Sequence, residues 1–201
     1  MSLQKAKEKW KNFLNPAILK PSLIIYSIFI TVFEILKQQV VERIKYFYVD
    51  GFIGDKLIIN ENYNKEVLSR HKKTLYASLD WHLEKGIISK EDIELFHELR
   101  KQRNKLAHEM TTVIFEGNND SIIVNLERMI NLLKKIELWW IVNVEIPTDP
   151  NINTDIDDMD IEHIIPGSIM IIQLLLEIAL NEGEEAKKYY DIYQLLTEEE
   201  S

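Results

Sequence analysis

Arg103, Asn104 and His108 lie close together in the segment Leu99-Arg100-Lys101-Gln102-Arg103-Asn104-Lys105-Leu106-Ala107-His108-Glu109. A guanidinium offers a planar fork of donors to phosphate or carboxylate oxygens. An imidazole changes charge between about pH 5 and 8, so it can give or take a proton. On a helix of about 100° per residue, Phe96, Leu99, Leu106, Ala107 and Met110 fall within about 60° of Arg103, which sets the guanidinium in the middle of an apolar stripe. A permanent charge in that position is costly unless something pairs with it. His97, Asn104 and His108 recur at i, i+7 and i+11 beside the stripe, flanked by Arg100 and Lys101, and make a polar, basic strip.

The residues alone leave two readings open at each position. Arg103 belongs either to a ligand site or to a buried ion pair, and Glu34, embedded in its own apolar helix, is the candidate partner. The two are compatible, since an acid can hold the arginine in place. His108 is as readily a surface or helix-capping histidine as a catalytic one. Arg100, Lys101 and Lys105 read first as a solvated helix face and second as phosphate contacts.

The spacing Arg-x4-His, with Asn104 directly after the arginine, resembles the signature of the HEPN superfamily, and the resemblance extends over about residues 20–146. It implies an all-helical bundle that dimerises so that the Arg and His of two protomers face each other. It also implies a metal-independent endoribonuclease or toxin-like activity. RNA cleavage without a metal needs a base for the 2′-hydroxyl proton, an acid for the departing 5′-oxygen and positive charge for the phosphorane. On this resemblance Arg103 and His108 are the catalytic residues; Asn104, able to orient the imidazole or hold a phosphate oxygen, and Glu34, able to hold the arginine in place, are the supporting candidates. Arg100, Lys101, Lys105 and His97 contact the RNA, and no metal or cofactor is expected. One chain supplies one motif histidine, and a second copy across a twofold axis supplies the other, so a homodimer with a composite site is expected.

The alternative is a non-catalytic HEPN dimer that binds RNA, a nucleotide or a protein, and after it a purely structural helical protein. An antitoxin or other regulatory protein is a further partner the resemblance implies. Toxins silenced by modification carry a tyrosine two residues after the histidine, whereas this chain has Met110, so that mode of silencing is not expected here.

Other chemistries lack their residues. There is no cysteine, which removes disulfides, thiolate metal sites and a cysteine nucleophile. His108-Glu109 opens like a zinc-protease motif, but position 112 is Thr where the second histidine is required. Asp155, Asp157, Asp158 and Asp160 lack the glycine and glutamate of a calcium loop and read as solvated acids. Pro166-Gly167-Ser168 is no nucleophile elbow, and no glycine-rich phosphate loop occurs. His71, His82 and His163 read as isolated structural histidines, and Trp139-Trp140 as core or interface.

The 201 residues, 46% hydrophobic and 28% charged, suffice for one sizeable core. Six glycines, five prolines and abundant Leu, Ile, Glu and Lys favour helices over a turn-rich sheet protein. The net charge of −9 is unevenly spread: residues 147–201 hold fourteen acids and two bases, and residues 1–146 hold 19 acids and 22 bases. The body is thus mildly basic. The acidic end is either solubilising or a competitor for the basic face.

Neither a signal peptide nor a membrane contact is expected, because the apolar run 23–33 is followed by no small-residue cleavage pattern and is interrupted by Glu34 and Lys37 before reaching about 20 residues. The expected location is cytoplasmic. Helices are expected at 3–14, 22–48, 64–85, from the N-cap Ser89 to about 112, and at 121–144. Residues 52–63 read as a loop whose apolar patch 57–59 is either a strand-like segment or a packed connection, and strand content as near zero. The fold class is therefore all-α: an HEPN-like helical bundle over 1–146, an acidic linker or loop at 147–160, and a C-terminal helical hairpin over 161–201. The hairpin, with helices at 167–181 and 184–196, needs a surface to cover, on its own bundle or on a neighbouring subunit.

Overall fold

The computed structural model describes residues 3–117, 119–151 and 160–198. Helices dominate: α1 (Leu3–Leu14), α2 (Pro16–Phe47), α3 (Thr74–Glu84), α4 (Lys90–Glu116), α5 (Asp120–Trp140), the one-turn α6 (Ile146–Thr148), α7 (Gly167–Leu180) and α8 (Glu184–Glu198). The all-α reading holds apart from one hairpin of β1 (Val49–Ile53) and β2 (Lys56–Ile59). Most of the acidic 147–160 segment, with Asp155, Asp157 and Asp158, lies outside the described residues, as does Asn118 of the expected turn after α4.

α2 is the central element, and α1, α3, α4, α5 and α7 all pack on it. It begins at Pro16, earlier than expected, because Asn15 Oδ1 accepts a hydrogen bond from the Ala17 amide at 3.0 Å and proline suits the first helical position. By length and composition α2 could cross a membrane. Here its Tyr26, Phe29, Val32, Leu36, Val40 and Ile44 are fully buried in the bundle core. Its N-terminal half is clipped to the α4–α5 connection: Tyr26 donates to Asn119 Oδ1, and Asn119 Nδ2 donates to Ser22 Oγ at 2.7 Å.

Three expectations need correction. The first concerns residues 49–59, which form a sheet rather than a loop, closed by the two-residue turn Gly54-Asp55 with Gly54 at φ 57°. Glycine takes that left-handed conformation without the Cβ clash of other residues. The second is the continuous helix at 64–85, which is broken. A π-turn at Tyr63–Val67 sends Tyr63 and Val67 into the core, a 3-10 turn follows at Leu68–Arg70, and His71 and Lys73 are extended before α3 starts.

The third is the motif helix, expected to fade near residue 112 and instead running to Glu116. Val113 and Ile114 are buried, and the Phe115 ring stacks on Phe13 of α1 at 4.5 Å, so tertiary packing outweighs the weak helix preference of the β-branched run.

The C-terminal hairpin rests on the bundle through α7, which packs on α2 and α5 and buries Ile169 and Ile172, while α8 packs on α7. A polar tie lies under it: Ser168 Oγ donates at 2.6 Å to Glu137, a carboxyl 1% exposed on α5 whose pKa burial pushes up. Trp140 is core, stacked on Trp81 at 5.9 Å.

Candidate functional site

The orientation of α4 decides which of its side chains reach solvent. The helix starts at a capping box in which Ser89 Oγ accepts from the Asp92 amide at 3.2 Å and Asp92 Oδ2 accepts from the Ser89 amide at 2.8 Å. Phe96, Leu99 and Leu106 are buried, with the Phe96 ring 5.4 Å from Phe33 of α2. That fixes the rotation of the helix. Lys101, Asn104, Lys105 and His108 are exposed, and His97 and Arg100 are half-buried.

Arg103 lies at the seam with α2, not in the middle of a covered stripe. Ala107 is exposed and Met110 half-buried, so burial ends on that side of the arginine, whose side chain remains 28% exposed. A helical wheel gives a direction but not which neighbour stands there.

Glu34, on α2, is the partner of Arg103. Its Oε1 accepts from Nη2 at 2.5 Å, and its Oε2 accepts from the Lys37 ammonium. Lys37 first, and Arg103 with it, hold the Glu34 carboxyl below the usual carboxylate range against a smaller opposing effect of burial. Arg103 Nη1 donates to Asn104 Oδ1 at 3.3 Å, while Nε is buried without a partner. Asn104 is therefore engaged with the arginine. His108 has no hydrogen bond, ion pair or ring contact among the described residues.

α4 changes direction immediately after His108, where Glu109 takes φ −130° and ψ 26°. Lys105 Nζ meets Glu116 Oε2 at 3.0 Å across this kink, although their backbone positions would stand about 16 Å apart along a straight helix. Lys105 is thus occupied by an ion pair.

Arg100 and His97 meet residues that sequence spacing did not single out. Arg100 Nη1 donates to the hydroxyl of Tyr76 on α3, and its guanidinium carbon lies 5.7 Å from the Tyr76 ring centroid. The His97 ring is 5.7 Å from Tyr76 and the His71 ring 4.9 Å. His71 is therefore not isolated. These positions are brought together only by the packing of α3 against the bundle, so no local pattern announces them.

His82 is structural, as expected: fully buried, with Nδ1 2.8 Å from the Ser78 carbonyl. Burial drives its pKa down to about 4. Exposed His163 pairs with Asp160 at 2.7 Å. Among the described residues no three His, Cys, Asp or Glu side chains are grouped to hold a metal ion.

The site offers a guanidinium fixed by a carboxylate, an amide beside it, and one turn further an unengaged imidazole facing water. Such a set can bind an oxyanion and exchange a proton. Compared with family models, curated proteins and solved structures, the chain matches none of them.

Proposed function

We propose that this chain is a metal-independent endoribonuclease with an HEPN-like fold, acting in the cytoplasm as a homodimer with a composite site. The observation that carries the reading is the pairing of an anchored Arg103 with an unengaged, exposed His108 at the Arg-x4-His spacing. In the proposed reaction one His108 imidazole takes the proton of an RNA 2′-hydroxyl. The 2′-oxygen attacks the adjacent phosphorus, Arg103 donates to the phosphorane oxygens, and the partner's imidazolium gives a proton to the departing 5′-oxygen. The products are a 2′,3′-cyclic phosphate and a 5′-hydroxyl.

The need for a second copy follows from distance. His97, the other histidine of the strip, stands about 16 Å along the helix from His108, too far to serve the same phosphate. Glu34 and Asn104 act as positioning residues for the guanidinium, and Arg100, Lys101, Lys105 and His97 as contacts to flanking RNA.

Incubation of labelled RNA with the purified protein in excess EDTA tests the reading. Cleavage with cyclic-phosphate ends is expected, and cleavage abolished by the chelator and restored by a metal ion counts against it. The ion pair of Arg103 with Glu34 favours a second reading, a dimer that binds RNA, a nucleotide or a protein without cutting, because a guanidinium already engaged by a carboxylate has fewer donors left for a phosphorane. Tight RNA binding without cleavage identifies that case.

A further inference from the structure

α7 is apolar almost all round: after Gly167, only Ser168, Gln173 and Glu177 among its residues are polar. The bundle buries Ile169 and Ile172 on one side, while Ile171, Leu175 and Ile178 stand exposed on another, within about 60° of each other around the helix. A helix apolar on every side is ordinarily covered on every side. α8 packs on α7 and itself leaves Ile192 and Leu196 exposed. A second uncovered face lies on α1, where Leu3, Trp10 and Leu14 recur at i, i+7 and i+11 and remain exposed, although Phe13 beside them is stacked on Phe115.

Both faces border one open groove of about 510 Å³, lined by Pro16, Ala17 and Lys20 on the α2 side and by Ala179, Leu180 and Glu182 on the α7 side. α1 ends at Leu14, next to the first lip, and α8 starts at Glu184, next to the second. The charges of the two are opposite. Residues 1–20 carry five lysines and one glutamate, whereas residues 161–201 carry nine acids and two lysines. Exposed Lys7 and Lys11 flank the row of Leu3, Trp10 and Leu14, and exposed Glu185 shares the face of Ile192 and Leu196 on α8.

We propose that these faces meet in a twofold contact between two copies of the chain, the basic α1 of each copy lying against the acidic α7–α8 hairpin of the other. A twofold contact needs a self-complementary surface, in which one patch meets a second and the second meets the first. Two unlike patches side by side at one groove satisfy that condition. Their exposed leucine, isoleucine and tryptophan side chains, 40–75% accessible, present on the order of 500 Å² of apolar surface per copy. Interfaces are a little over half apolar, so this corresponds to about 800 Å² per partner, the size of a stable contact. An anionic lipid surface would attract the lysines of α1 but repel the acids of the hairpin at the same groove. The contact stands whether or not the α4 strip cuts RNA.

The test is the mass of the full chain in solution, measured by light scattering after gel filtration. The unaltered protein should have the mass of at least two copies. Lys7→Glu with Lys11→Glu, and separately Glu182→Lys with Glu185→Lys, set like charges across the contact, and each pair of changes should halve that mass. All four positions are exposed, so circular dichroism should not change. Mixing the two altered proteins puts opposite charges at both places of contact and should restore the full mass, a recovery that a folding defect would not show. A single copy for the unaltered chain, an unchanged mass in both variants, or a mixture that stays apart overturns the proposal.

Discussion

Glu34 Oε1 and Arg103 Nη2 meet at 2.5 Å across the seam between α2 and α4, joining residues 69 positions apart. Each brings a second polar neighbour, Lys37 on Glu34 and Asn104 on Arg103. The Glu34 side chain is 38% exposed, and ion pairs so accessible to water contribute about 1 kcal/mol or less to stability. Glu34→Gln is therefore expected to shift urea unfolding only slightly while reducing cleavage at least tenfold by loosening Arg103. Because the folded Glu34 carboxyl is held below its unfolded value, its small stabilisation is complete above the ordinary carboxylate range. It is lost as pH falls through the lowered value, so the two proteins should converge in acid. Equal loss of stability and cleavage would make the pair purely structural.

His108→Ala should lower cleavage by about 10²–10⁴, the usual contribution of a positioned acid or base. Circular dichroism and the mass in solution should not change, since His108 is exposed and has no partner among the described residues. An unfolded variant would mark the histidine as structural.

His82 predicts a pH effect remote from the site. Its Nδ1 faces the Ser78 carbonyl, its Nε2 is buried without a partner, and its folded pKa lies at about 4. The unfolded imidazole titrates near pH 6.5. Above that pH neither state takes the proton and stability is whole. Between about pH 6.5 and 4 only the unfolded chain takes it up, so stability falls with pH by on the order of 3 kcal/mol. His82→Leu should flatten urea unfolding across this window, and an unchanged slope would refute the assignment.

Two truncations separate the halves of the C-terminal hairpin. Removing residues 147–201 takes away Ile169 and Ile172, which are 3% and 0% exposed. Each such loss from a core costs about 2–5 kcal/mol, so cooperative thermal unfolding should disappear. Removing residues 183–201 takes α8, which packs on α7 alone among the described elements with substantial contact. That protein should melt within a few degrees of the full chain. If the acidic end competes with RNA for the basic face, the shorter truncation should also bind RNA more tightly; unchanged affinity would make the segment merely solubilising.

Residue pattern alone determined the helical class and the N-cap at Ser89, and it named Glu34 as a candidate partner of Arg103. Each depends on nearest-neighbour periodicity, local capping geometry or the high cost of an unpaired charge, and all three can be read from types and spacing. Tertiary packing decided the rest. Two strands of four and five residues are too short to show a period, so the apolar patch 57–59 alone could not distinguish β2 from a packed loop. α4 continues to Glu116 because Phe115 finds Phe13, and the stripe opens to water at Ala107. His71, Tyr76 and His97 meet only because α3 packs onto α2, which brings together rings that chain order keeps apart. Contacts between distant segments depend on how whole faces are buried together, a quantity that no window of sequence contains.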